Sequence, residues 1–551
     1  MNMTTKPTRG NNDFMVVESA AAARRRQTSF VLDVSADVKL DDIHDVAAHH
    51  RKVSLAPAVL ELLQKGRAQL ESRLTARKVI YGINTGFGGN SNLVIPDDQL
   101  ALHQSNLLTF LSVGTGECLE EEYVRAAQFL TLLALVRGWS AVRPEIVRSL
   151  LEHINLGIAP IVPQHGSVGA SGDLIPSSYI ASALCGRGRV RFGGQEMSAS
   201  EALTRSGIAP VELQAKEGLA LVNGTRVMTG IGAVTVLRLW MTFRAALGTL
   251  ALAVDALHAS REHYDARIHA AKGHPGQIAV AAALRKMLGY TSASHLSSAV
   301  HRPKEPDGIL RLAEGVQEIY SIRCAPQILG IVPESLSETR IVIEREAVSA
   351  NDNPLVDPET GDVLHGGNFM GQHVSRAMDV LKIDIATVGN HMHSIMALLM
   401  DSRFSRGLPN SLSPRLGLYQ GFKGVQISHT SLVAHLRRES APASVHTLPT
   451  EQFNQDFVSL GLHAALGAAE MELKLRDVVA MTLLAACQAA ALQANGAELP
   501  CALSVLYEAV KKISPPLAED RAMDQDIAAI SLAIVEGLLP LPRLEPAWGT
   551  H

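Results

Sequence analysis

Apolar positions in the second half of the chain recur at helical spacing. Val374, Met378, Leu381, Ile385, Val388, Met392, Ile395 and Leu399 alternate steps of four and three residues, with Asp379, Lys382 and Asp384 off the stripe. A 3.5-residue stripe sustained over several turns predicts an extended helix packed in a bundle. Ala- and Leu-rich segments over about 226–259 and 466–494 carry a similar signal. Between about 30 and 220 the pattern differs, and short helical runs alternate with the glycine-rich loops 81–89 and 166–173. Near the C-terminus, Pro515-Pro516, Pro540 and Pro542 bracket one or two shorter helices. The expected class is all-α, a long-helix bundle with a smaller N-terminal loop-and-helix domain. Its divisions are a disordered polar tail over 1–29, the N-terminal domain over 30–220, the central bundle over 221–510 and a short helical segment over 511–551.

Composition sharpens this picture. Apolar residues make up 47% of the 551 positions and aromatics only 4%, which suits packed helices better than β-sandwiches. A net charge of −4 lacks the basic excess of a nucleic-acid binder. Arg24-Arg25-Arg26 is followed by no apolar run, so it reads as solvated tail rather than export signal. The five cysteines are scattered with no CxxC pair, which argues against a disulfide framework or zinc ribbon and suits a reducing cytoplasm. Gln128–Val136 and Met481–Ala491 fall short of a membrane span and read as buried helices. The histidines, His391 and His393 included, form no HExxH or clear ligand set, and neither metal nor nucleotide is expected.

Ala170-Ser171-Gly172 lies in a loop of small residues. Its ordinary reading is a flexible turn, with Asp173 starting a helix and Pro176 in the first turn. The spacing is wrong for a Gly-x-Ser-x-Gly elbow. A tight bend would let the Gly172 amide nitrogen attack the Ala170 carbonyl, and glycine permits that bend. Loss of one water closes a five-membered ring, and loss of a second from Ser171 leaves an exocyclic methylene. The product is a strong electrophile that ordinary side chains lack.

The string Gly166-Ser-Val-Gly-Ala-Ser-Gly-Asp-Leu-Ile-Pro176 resembles the signature of the histidine/phenylalanine ammonia-lyase family, and the resemblance spans about 35–510. It is most like a bacterial-type phenylalanine ammonia-lyase. The resemblance implies the ammonia-lyase/fumarase-like bundle and self-conversion of Ala170-Ser171-Gly172 into 4-methylidene-imidazol-5-one. It makes Tyr81, in Tyr-Gly-Ile-Asn-Thr-Gly-Phe-Gly, the base that removes the substrate's β-proton. A phenol acts so at neutral pH only if its pKa falls. Asn223, in Glu217-Gly-Leu-Ala-Leu-Val-Asn-Gly-Thr225, becomes a donor to the electrophile's carbonyl, and Leu219 joins the substrate-binding residues.

Gln317, Tyr320 and Arg323 stand at three-residue steps and would share one face of a helix. By resemblance Arg323 clamps the α-carboxylate, Tyr320 lies at the catalytic centre and Gln317 binds substrate. Asn353 belongs to the carboxylate set, and Phe369 forms an aromatic wall. Lys423, Glu451, Asn454 and Gln455 complete the substrate-binding residues, with Glu451 near the amine. Taken one by one, these are ordinary turn, core or solvated residues; the resemblance gives them roles. The histidine branch has a glutamate where Gln455 stands, so neutral Gln455 argues against histidine as substrate.

Phe110-Leu111 resembles the selectivity pair of the phenylalanine enzymes, against His-Leu for tyrosine and Ser-His for histidine. An apolar pocket rejects an added hydroxyl by only about a hundredfold. The expectation is therefore L-phenylalanine to trans-cinnamate and ammonia, with weaker turnover of L-tyrosine. Alternatives are a tyrosine ammonia-lyase, a 2,3-aminomutase using the same electrophile, and a non-catalytic helical scaffold. Helix N-termini aimed at the electrophile would stabilise charge developing there. The resemblance also implies a homotetramer whose sites draw residues from more than one subunit, with no nucleic-acid or membrane partner.

Overall fold

The computed structural model describes residues 26–290, 317–493 and 498–544. The tail expected over 1–29 lies outside the described residues as far as 25. Its last residues touch the body: Arg26 Nε donates to Asp45 at 2.9 Å and Ser29 Oγ to Ser54 Oγ at 3.1 Å.

Phe30–Leu32 and Val53–Leu55 form a parallel strand pair around the helix Leu40–Ala47. The helices Pro57–Thr75, Leu100–Leu111, Glu121–Val136, Pro144–Leu156 and Leu174–Leu184 follow, separated by the glycine-rich loops. A small antiparallel sheet joins Ala159–Pro160, Arg189–Phe192 and Gln195–Ser198. After the short helix Glu217–Val222 come the three long helices. They span Arg226–Ala256 (31 residues), Gln372–Met400 (29 residues) and Gly461–Gln493 (33 residues). The third packs along both others, Glu121–Val136 lies on the first, and Ile331–Ala347 and Lys423–Glu439 close the flanks. Cys501–Ile513 and Asp524–Val535 pack last onto this core.

The 3.5-residue stripe is the core face of the second long helix. All eight of its residues, Val374 to Leu399, are fully buried. The three polar residues off the stripe are buried as well, because the helix is enclosed on more of its circumference than one stripe covers. Two of them fix a neighbouring loop. Asp379 accepts from the amides of Ala443 (2.7 Å) and Ser444 (2.8 Å), and Lys382 Nζ donates to the Ala441 carbonyl. For the third, Asp384, burial pushes the carboxyl up to about 7.

Two helices are long and apolar enough to cross a membrane by length and composition alone. They are Arg226–Ala256 and Gly461–Gln493, with mean hydropathies of 1.3 and 1.5 over their most apolar windows. Those windows are 78% and 83% buried inside the chain, which accounts for their apolar character as core.

A buried ion pair ties the N-terminal region to the turn that precedes the second long helix. Lys216 Nζ lies 2.8 Å from Asp352 Oδ2, with both side chains essentially inaccessible. Removing one partner strands a buried charge, at a cost of about 3–5 kcal/mol. Asp352→Asn is therefore expected to lower unfolding stability by about that amount in urea titrations. The double variant Lys216→Met/Asp352→Leu should recover most of the loss, and an unchanged midpoint for Asp352→Asn alone would refute the assignment.

Candidate active site

The Ala170-Ser171-Gly172 loop is bent where the sequence chemistry requires it. Ala170 and Gly172 form a backbone bridge with each other, so the chain doubles back over Ser171. Gly172 has φ +71° and its backbone pairs with Gly224. A Cβ at Gly172 would lie 2.0 Å from the Gly224 carbonyl oxygen, so only glycine fits. Gly169, at φ +72°, is also close-packed, since a Cβ there would lie 2.3 Å from Ser459 Oγ. Two donors converge on the Ser171 carbonyl oxygen: Asn223 Nδ2 at 2.9 Å and the Gly224 amide at 3.3 Å.

The N-termini of the three long helices converge beneath the loop, two of them bonded to it directly and the third packed against those two. The Asp173 carboxylate accepts from the Met228 amide, in the first turn of Arg226–Ala256, at 2.7 Å. The Gly169 carbonyl accepts from Ser459 Oγ at 3.1 Å, and the Val168 carbonyl from the Leu460 amide at 3.0 Å, just ahead of Gly461–Gln493. Gly371 precedes Gln372–Met400. A Cβ there would meet Met228 Sδ at 2.5 Å, and Ser375 Oγ donates to the Ser459 carbonyl at 2.6 Å. Each helix N-terminus carries about half a positive charge.

Asp173 was expected to start the helix Leu174–Leu184. It does occupy that N-cap position, but its side chain makes no cap bond there and turns to the first long helix instead. Burial pushes its carboxyl up to about 7, against the pull of the Met228 and Val227 amides, Ser167 and Arg226.

The Tyr81 loop closes one side. Tyr81 Oη accepts from the Gly88 amide at 2.9 Å, and the Gly89 amide donates to the Glu451 carboxylate at 3.1 Å. Leu219 fills the space a side chain at Gly82 would need, and Gln104 bonds both the Gly82 carbonyl (3.1 Å) and the Leu219 amide (2.9 Å). The phenol behaves oppositely to the expectation that its pKa falls. Burial pushes it up, the Gly88 amide pulls it partly back, and the Glu451 charge adds to the rise. Glu451, Gln452 and Phe453 form a left-handed turn at φ 47°, 54° and 62°, a conformation costly for non-glycine residues. Just beyond it, Gln455 Nε2 faces Ser171 Oγ at 3.5 Å.

One chain thus brings together Tyr81, Ala170, Ser171, Gly172, Leu219, Asn223, Glu451 and Gln455. Asn353 lies close by, its Oδ1 accepting from the Gly366 amide at 2.8 Å, while Tyr81 N donates to His365 Nε2 at 3.4 Å. Phe369 is half-buried in the turn ahead of the second long helix. Phe110 is 57% exposed and Leu111 is buried, since consecutive helical residues point about 100° apart. Asn454 and Lys423 are exposed, and Lys423 Nζ reaches Gln420 Oε1 at 3.4 Å.

Tyr320 and Arg323 lie at the opposite end of the molecule. Their segment is bonded to Ser260, His263 and Tyr264, beyond the C-terminus of Arg226–Ala256, whereas Ser171 sits at that helix's N-terminus. Its 31 residues span about 45 Å at 1.5 Å per residue. The shared helical face expected for Gln317, Tyr320 and Arg323 also changes. The helix covers only Tyr320–Arg323, because Ile319 is extended, and Gln317 lies exposed in a bend before it. Tyr320 and Arg323 do share a face, with the guanidinium carbon 4.9 Å from the ring centroid.

Sequence reading missed Ser167, Asp173, Gly224, Met228 and Ser459 as supports of the loop. Ser167, Asp173 and Gly224 lie within recognised motifs; Met228 and Ser459 act through contacts no local pattern marks. It also missed His44, Asp45 and His49, whose donor atoms lie within 4.8 Å of one another, although Asp45 is already engaged by Arg26.

The architecture matches solved structures of ammonia-lyases and aminomutases. Against a phenylalanine aminomutase from Pantoea agglomerans the TM-score is 0.86 at 33% identity, covering 92% of this chain and 99% of that one. The family model for aromatic amino acid lyases matches residues 38–512, and the chain belongs to that family. A hal-like protein of Dictyostelium discoideum is 52% identical over 94% of this chain and 98% of its own length. A histidine ammonia-lyase of Geobacillus thermodenitrificans is 39% identical over 87% and 92% respectively.

The raised Asp173 carboxyl generates a pH signature. Its ordinary value is near 3.8 and its folded value about 7, so its stabilising contribution is complete below about pH 4 and is lost as the pH rises through 7. Asp173→Asn, neutral throughout, should remove that component. The stability difference between wild type and variant, from urea titrations, should move against wild type between pH 4 and 7; a flat difference would refute the assignment.

Proposed function

We propose that the protein is a cytoplasmic ammonia-lyase that converts L-phenylalanine to trans-cinnamate and ammonia, with weaker action on L-tyrosine. The observation that carries the substrate reading is Gln455, a neutral amide 3.5 Å from Ser171 Oγ. An imidazole substrate would meet no carboxylate at that position. Phe110-Leu111 points the same way.

The residues of the bend fit the group the family implies, 4-methylidene-imidazol-5-one. Ala170, Ser171 and Gly172 supply its atoms, and Asn223 Nδ2 and the Gly224 amide hold the carbonyl oxygen of Ser171. Once formed, that group supplies an electrophilic methylene.

The remaining work falls to ordinary side chains. Tyr81 takes the β-proton, and the Gly88 amide already pointing at its oxygen would stabilise the phenolate. Glu451 lies near the amine. Arg323 grips the α-carboxylate with Asn353, and Tyr320 stacks beneath the guanidinium. Since about 45 Å of helix separates Arg323 from Ser171, a second copy of the chain supplies Arg323 and Tyr320. This favours the shared-site homotetramer. A cation arriving in this way would also lower the Tyr81 pKa that burial raises in one chain.

A 2,3-aminomutase is the second reading, favoured by the structural similarity to the Pantoea enzyme. Incubation with L-phenylalanine, L-tyrosine and L-histidine separates the readings. Cinnamate should dominate; mainly β-phenylalanine would make the protein an aminomutase, and faster deamination of histidine would overturn the substrate reading. Intact mass should be two waters below the sequence value in wild type and at full value in Ser171→Ala, which should lose turnover. Phe110→His should shift the tyrosine-to-phenylalanine kcat/KM ratio toward tyrosine by about tenfold to a hundredfold.

A further inference from the structure

The segment carrying Tyr320 and Arg323 is a four-residue helix bonded from several neighbouring elements. Arg323 Nε donates to the main-chain carbonyl of Glu318 at 3.0 Å. The Glu318 carboxylate is itself fixed from two elements. Arg406 Nη2 lies 2.9 Å from each of its oxygens, and the Ser260 amide donates to Oε1 at 2.9 Å. The Glu318 amide donates to His263 Nε2 at 3.3 Å. Arg406 is anchored in turn, because its Nη1 donates to the His258 carbonyl at 2.8 Å and the Leu257 carbonyl at 3.2 Å. Those carbonyls lie just past the C-terminus of the first long helix, where a cation is favoured.

The far side of the segment is pinned too. The Ser321 carbonyl accepts from His391 Nε2 at 2.7 Å, and the Ile322 carbonyl accepts from Tyr264 Oη at 3.0 Å.

We infer that Glu318 is a positioning residue for Arg323, locked by Arg406 so that the guanidinium is aimed before any ligand arrives. With Nε bonded to the Glu318 carbonyl and one guanidinium face over the Tyr320 ring, the terminal Nη pair is the end left to meet a carboxylate. Glu318 touches no substrate in this scheme; its effect runs through Arg323. Fixing a flexible arginine in its bound geometry removes ordering that binding would otherwise have to supply. The inference rests on the reading of Arg323 as the carboxylate grip.

The test uses the full-length protein and two probes, cinnamate, which has the carboxylate, and 2-phenylethylamine, which lacks it. Calorimetry should show Glu318→Gln weakening cinnamate by between about tenfold and a hundredfold, the range a displaced positioning contact produces. The affinity for 2-phenylethylamine should stay at the wild-type value, and KM for the amino acid should rise by more than kcat falls. Arg406→Lys keeps the cation but not the planar fork, and should act in the same direction. It decides the matter if Glu318→Gln loses its thermal transition. Wild-type affinity for cinnamate in a folded variant overturns the inference, as does equal weakening of both probes or a wild type that does not bind cinnamate. A wild type that binds cinnamate in a Glu318-dependent way yet deaminates no amino acid overturns the proposed function and leaves the positioning role standing.

Discussion

Three helix N-termini meeting under one loop is the constraint on which the rest of the structure depends. Like poles held side by side repel, and each brings backbone amides with no partner inside its own helix. The loop meets both demands. Its Val168 and Gly169 carbonyls and the Asp173 carboxylate accept from the residues that open two of these helices. Asp173 provides less negative charge than its position suggests, because burial holds its carboxyl near 7. Part of the positive field is therefore left for the Ser171 carbonyl, which already faces Asn223 and the Gly224 amide. The fit tolerates no side chain at Gly172, so the bend and the bundle specify each other.

The opposite wall is built differently. The loop carrying Tyr81 is glycine-rich, gripped at Gly82 by Gln104 and joined to Glu451 through the Gly89 amide. Glu451 in turn sits on a turn of three left-handed residues, a conformation kept only where its surroundings demand it. One half presents the Ala-Ser-Gly bend, and the other presents the Tyr81 phenol with the Gly88 amide at its oxygen.

Much of this was legible in the residues. The stripe from Val374 to Leu399 marked the second long helix and its buried face, because a 3.5-residue period sustained over about seven turns fits no other element. Ala170-Ser171-Gly172, Tyr81 and Asn223 were legible as motifs, since each depends on local backbone freedom or on one side-chain type. Asp173 starts its helix as its identity suggests, but the partner of its side chain lies 55 residues away, beyond the reach of any local pattern. The fall expected for the Tyr81 pKa is reversed because burial outweighs the Gly88 amide, a balance that no motif displays. The burial of Asp379, Lys382 and Asp384 was hidden because periodicity marks the most apolar face and not the extent of enclosure. The remoteness of Arg323 from Ser171 is a matter of helix length, visible only once the ends of Arg226–Ala256 are tied to their partners.

That helix acts as a ruler, and the ruler restricts how the gene can change. Every residue added or removed within Arg226–Ala256 shifts one end by about 1.5 Å and rotates it by about 100° relative to the other. The two companion helices run alongside it from the same end, so a length change in one alone would tear the loop from its seat or carry the Arg406 anchor out of reach. Insertions and deletions should therefore accumulate in the connecting loops and the termini, while the three helices drift in sequence at nearly constant length.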